Sequence, residues 1–235
     1  MKVLEYLFHS YYHQYITIEA DVLTDKLKHR VQVNEDDCFA LCTGYCQEGE
    51  LMFAVLSIGP SWEDCTKGLD DPEMLGVFTM EEVCDKTARI VEPDMKILRK
   101  GSSFLKDQEK NDDEEVLELR KDRRLDEIRD AQFPDIVDIG VNAGGKIVQA
   151  KACLVGTEGV FVHAVLVADP DNEEISYEPY EDVWALPCIS PTGMGLIALV
   201  VGDHELTKAQ EALLAKAKEL ADQHGLSFTN VGKRS

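Results

Sequence analysis

Asp203, His204 and Glu205 stand in a row and carry the side chains of a general base or a metal site. They lie just beyond the apolar run Gly195–Val201, after Gly202, and precede a helix start at Thr207. Ligands of parallel sheets bind at that end of a strand. No nucleophile motif accompanies the triplet: the chain contains no Gly-x-Ser-x-Gly and no Cys-His signature. The triplet therefore has two readings: the centre of a metal-dependent or small-molecule enzyme, or an ordinary polar loop.

A second candidate lies before it. Tyr177, Tyr180, Glu181, Asp182 and Trp184 mix aromatic rings with carboxylates, among further acids at Glu173, Glu174 and Glu178. Tyr and Trp anchor protein interfaces, and carboxylates steer a basic partner towards them. The alternative is a loop that packs its rings inward and hydrates its acids.

Three other spacings are tested and set aside. Gly140-Val-Asn-Ala-Gly-Gly145-Lys146 fits the frame of a phosphate-binding loop, but Ile147 stands where Ser or Thr should reach magnesium. The residues after it read as a strand, whereas the phosphates need a helix N-terminus there. Cys38, Cys42 and Cys46 recur every four residues, unlike the tighter pairs of zinc sites. On a strand they share one small-residue face with Ala40 and Gly44, packed against a helix. His9 and His13 are four apart, but two ligands alone do not make a metal site. No cofactor is expected. Trp62, in the turn-rich stretch from Gly59 to Met74, is either a contact residue or a cap on the core.

Composition narrows the class. The 235 residues carry a formal charge of −21, which repels nucleic acid and anionic membranes and suits a basic protein partner or a divalent cation. No apolar run is long enough to cross a bilayer, and the N-terminus lacks the core of a signal peptide. The expectation is a soluble, cytoplasmic protein whose seven cysteines are reduced.

The clearest structural stretch runs from Phe133 to Pro170. Lys146–Val155 and Val160–Ala168 read as a β-hairpin, and Ile136–Ile139 adds a third strand. Its second arm, Glu158–Pro170, matches Glu48–Pro60 in register through Glu-Gly, Ala-Val-Leu and a closing Pro. That match reads as duplicated halves or as the common look of a buried strand after a turn. Near the N-terminus, Val3, Leu4, Leu7 and Phe8 suggest one face of a short helix, and Tyr12–Ala20 a strand with Ile16 and Ile18 on one side. Thr79 and Glu82 form a capping box that predicts a helix from Met80 to about Ile90. Residues 106–131, dense in charge, predict an exposed connecting helix, with a disordered stretch from Lys106 to Glu114 as the alternative. Gly195–Val201, a capped helix after Thr207 and Leu226–Val231 predict a β-α-β unit.

The fold expected is α+β: a mostly antiparallel β-sheet with flanking helices and a C-terminal β-α-β segment. Its organisation is an N-terminal lobe at 1–105, a charged helical connector at 106–131 and a C-terminal lobe at 132–235, or else one continuous domain. The function expected is a non-enzymatic protein-binding module, with the enzyme at Asp203 as its rival.

Overall fold

The computed structural model describes residues 1–19, 27, 34–67, 74–110, 112–143, 146–158, 161–167, 182–190 and 193–201. Among these residues the fold is α+β, with three α-helices and ten strands, mostly antiparallel. The chain divides into two compact units: Met1–Asp112 with Ala131–Pro134, and Asp113–Asp130 with Asp135–Ser235.

The first unit is built on a sheet of five strands: β1 (Tyr15–Glu19), β2 (Phe39–Gln47), β3 (Glu50–Gly59), β4 (Gly76–Thr79) and β5 (Ala88–Ile90), in the order β4-β3-β2-β1-β5. Between β2 and β3, Glu48 and Gly49 both take the left-handed backbone, φ 53° and 82°, as a two-residue hairpin turn requires. Ile16 and Ile18 of β1 are buried, as their alternation predicts.

On β2 Ala40, Cys42 and Cys46 do share a face, but Cys38 precedes the strand, is half-exposed and does not belong to it. Ala40, Cys42 and Cys46 belong to one apolar cluster with Phe8, Tyr11, Tyr12 and Phe53. What covers that face is not a helix. Two 3₁₀ turns, Val3–Glu5 and Phe8–Ser10, carry the N-terminal segment over it. A Cβ on Gly44 would lie 2.6 Å from the carbonyl oxygen of Tyr11, so only glycine allows the approach. The same turns bury Val3 and Phe8 but leave Leu4 and Leu7 exposed, where the sequence predicts a single helical face. Helix α2 (Met95–Glu109) packs on the opposite side, placing Ile97 against Leu41, Leu56 and Cys65, and Leu105 against Tyr45 and Ala54.

The capping box forms: Thr79 Oγ1 accepts from Glu82 N–H, and the Glu82 carboxylate accepts from Thr79 N–H. Yet helix α1 ends at Val83 instead of continuing to about Ile90. Ala88–Ile90 leave the helix to pair with Ile16–Ile18 of β1. That pairing joins the backbone donors and acceptors of both strands in a ladder, which outweighs one more turn of helix.

In the second unit, β6 (Ile136–Ala143), β7 (Lys146–Glu158), β8 (Phe161–Val167), β9 (Asp182–Ser190) and β10 (Gly193–Val201) close into a barrel. Neighbours are antiparallel except at the seam, where β10 runs parallel to β6 through Leu196–Ile139 and Ile197–Gly140. The predicted three-strand hairpin region is thus β6–β8, and Lys146 opens a strand, not the helix a phosphate loop needs. The helix and final strand predicted after Thr207 lie outside the described residues.

Residues 106–131 are not one exposed helix. They hold the end of α2, the short helix α3 (Glu114–Arg120) and a 3₁₀ turn, Arg123–Leu125. Asp113 and Asp122 cap the last two by accepting backbone N–H groups, which breaks the charged stretch into pieces. Leu119 and Leu125 are fully buried in the same cluster as Val137, Ala152, Ala164 and Val183 of the barrel. Arg120 grips Asp135 in a two-pronged pair, with Nη2 at 2.7 Å and Nε at 3.1 Å from Oδ2. Arg129 reaches the same carboxylate at 3.7 Å and donates to the Leu119 carbonyl.

Two substitutions test this packing by chemical denaturation. Gly44→Ala should lower stability by about 1–3 kcal/mol, the usual range for overpacking, because the Tyr11 carbonyl must shift. Asp135→Asn should cost about 3–5 kcal/mol by leaving two buried guanidinium groups without their carboxylate.

Candidate functional site

Trp184 does not lie in a loop. It is the third residue of β9, and its side chain is half-buried. Strand pairing fixes which way it faces. Val162 pairs with Ala185 and Ala164 with Val183, and all four are buried in the barrel core. His163 and Trp184, paired between them, must face outward. The imidazole lies on the indole with ring centroids 4.5 Å apart and planes 12° apart.

The row continues onto β7. Gly156 pairs with His163 next to a bulge, and has no side chain. Glu115 Oε2 of α3 sits 3.1 Å from where a Cβ of Gly156 would be. A carboxylate, an imidazole and an indole thus stand side by side on the outer face of three adjacent strands. Val165 and Leu186 flank them, both half-buried. Sequence reading finds Trp184 but misses His163 and Glu115. Only the register that pairs β7, β8 and β9 brings these together.

The remaining candidates are dispersed. Asp182 pairs with Val165 through the backbone of β9. Tyr177, Tyr180 and Glu181 lie outside the described residues, as do Asp203, His204 and Glu205. Trp62 tilts against Phe39 at 4.6 Å, with the Arg89 guanidinium 4.5 Å from the centre of its ring. This places it on the rim of the Leu41–Cys65–Ile97 cluster, closer to the capping reading than to a free contact. Among the described residues no group of three His, Cys, Asp or Glu side chains could hold a metal ion. Nor is any helix among them long and apolar enough to cross a membrane.

The buried thiols have a definite chemistry. Burial pushes Cys65 up to about 12, with Asp37 and Asp64 adding repulsion. Burial likewise raises Cys42 and, less far, Cys153. A thiol held above its ordinary titration stays protonated and is a poor nucleophile. Comparison with family models, with curated proteins and with solved structures finds no match to this chain.

Thiol labelling checks the burial. At pH 8 a charged aromatic disulfide reagent should modify the half-exposed Cys38 and Cys84 first, and Cys153 more slowly. Cys42, Cys46 and Cys65 should react only as the protein unfolds, and peptide mapping would identify them. Cys42→Ser should cost about 1–3 kcal/mol by burying a hydroxyl.

Proposed function

We propose that the chain is an intracellular, non-enzymatic binding module that takes a basic segment of a partner protein on the outer face of the barrel. The observation that carries this is the indole of Trp184, held flat by His163 on the outward side of β9. A large aromatic ring that is pre-positioned and half-open loses little rotamer freedom on binding, which makes it a good anchor. The carboxylate of Glu115 stands two strands away on the same face. Every charged residue from Asp169 to Asp182 is acidic, and this stretch leads directly into β9. Lysine and arginine suit such a surface twice over, by cation–π contact with the indole and by charge pairing with the carboxylates. Tyr177 and Tyr180 belong to the proposed surface by their place in the chain, and so do Glu181 and Asp182. The net charge of −21 favours approach of a basic protein and opposes nucleic acid and anionic membranes.

An arginine-rich peptide and an acidic peptide of equal length are suitable probes. Only the basic one should bind in stopped-flow measurements. Trp184→Ala should raise its dissociation rate about thirtyfold, as loss of an anchor of roughly 2 kcal/mol does. Glu181→Gln with Asp182→Asn should slow association and flatten its dependence on salt. If Trp184→Ala lowers only the melting temperature and peptide binding is unchanged, the ring is packing and the proposal fails.

A further inference from the structure

A different cluster, in the first unit, ties two elements through one carboxylate. Glu109 closes α2, and its Oε1 lies 2.8 Å from His13 Nε2 and 3.0 Å from the hydroxyl of Tyr12. His13 is otherwise fixed: it takes a left-handed backbone, φ 57°, and its N–H donates to the Gly44 carbonyl of β2. Its ring stacks on Tyr12 at 3.9 Å, and Tyr12 stacks in turn on Phe8 at 4.8 Å. The imidazole therefore lies between a carboxylate and the face of a phenol ring. Both neighbours favour the imidazolium over the neutral ring, the first by charge and the second by cation–π attraction.

We propose that His13 and Glu109 form a proton-dependent latch that fixes the last turn of α2 to the N-terminal segment. Glu109 from α2 and the phenol of Tyr12 from its own segment face the imidazole, while the Gly44 carbonyl of β2 holds the backbone N–H of the same residue. Tyr12 donates to Glu109 at any pH below its own titration, so it sets the position of the carboxylate without switching. The imidazole is the part that switches. Its contribution is complete below the ordinary imidazole range, near pH 6.5, and is lost as pH rises through its titration in the folded protein. The closed state thus spans mildly acidic pH.

The test is a double-mutant cycle at pH 5.5 and pH 8.5 with His13→Asn, Glu109→Gln and both together. Asparagine tolerates the left-handed backbone, and glutamine still accepts from Tyr12. Both side chains are 29% exposed, so the coupling expected at pH 5.5 is about two- to fivefold in the unfolding constant, falling to none at pH 8.5. Amide exchange at Leu105–Glu109, corrected for its intrinsic pH dependence, should speed up by the same factor between the two pH values. It should do so in the wild type and in neither single variant. Coupling equal at both pH values, or absent at pH 5.5, overturns the latch. If His13→Asn does not fold, exchange in Glu109→Gln decides alone: a pH dependence like that of the wild type rejects the proposal.

Discussion

Five antiparallel strands laid side by side in chain order run up, down, up, down and up. The first and last point the same way, so such a row closes into a barrel only through one parallel pair. That constraint governs the second unit. The parallel pair is β10 with β6, and it is narrow, resting on Leu196–Ile139 and Ile197–Gly140. A barrel of so few strands encloses little volume. Its interior accordingly relies on small side chains, Ala150, Ala152, Ala164 and Ala185, set among Val, Ile and Leu. Leu119 and Leu125 complete the core from outside the strands. The helix that brings Leu119 is held by Arg120 and Asp135, both nearly dehydrated. Stripping these charges of water is costly, and a two-pronged guanidinium–carboxylate geometry offsets that cost where a single contact would not.

The same constraint produces the outer face. An indole does not fit a layer made of alanine and valine. With Val183 and Ala185 inside, the strand period of two puts Trp184 outside, opposite His163. A slip of one residue between β8 and β9 would bury the indole and expose the core. The register that protects the core thus presents the aromatic row as well. The stacking of His163 on Trp184 follows from it.

How much of this could be read from the sequence depends on whether the deciding force is local. Thr79 and Glu82 are three residues apart and cap the same turn, so the helix start is legible. Its end is not, because β1, far away in sequence, recruits Ala88–Ile90. The small-residue face of β2 is legible from its alternation. Its cover is not, since Tyr11 approaches Gly44 through a fold of the N-terminal segment. The charged stretch at 106–131 looks like a solvated helix because its caps, Asp113 and Asp122, are acids among acids, and Leu119 and Leu125 are few. Trp184 was visible as an aromatic among carboxylates. Its partner was not, because His163 is twenty-one residues earlier on another strand, and only pairing brings the two together.

The register match between Glu48–Pro60 and Glu158–Pro170 takes on meaning from the topology. It lays β3 on β8, and each is the third strand of its unit. Read from the fifth strand, the first unit runs β5-β1-β2-β3-β4 and the second β10-β6-β7-β8-β9. The order of the strands is the same in both units, and the direction of the fifth differs. The difference lies in one connection. After β9 the chain reverses and β10 pairs back on it, antiparallel to β9 and parallel to β6. After β4 the chain passes through α1, and β5 joins the far side of β1 antiparallel to it. β4 and β5 then point the same way on opposite edges of the sheet. The connection through α1 carries the last strand to the opposite edge, and among the described residues the first sheet stays open where the second closes.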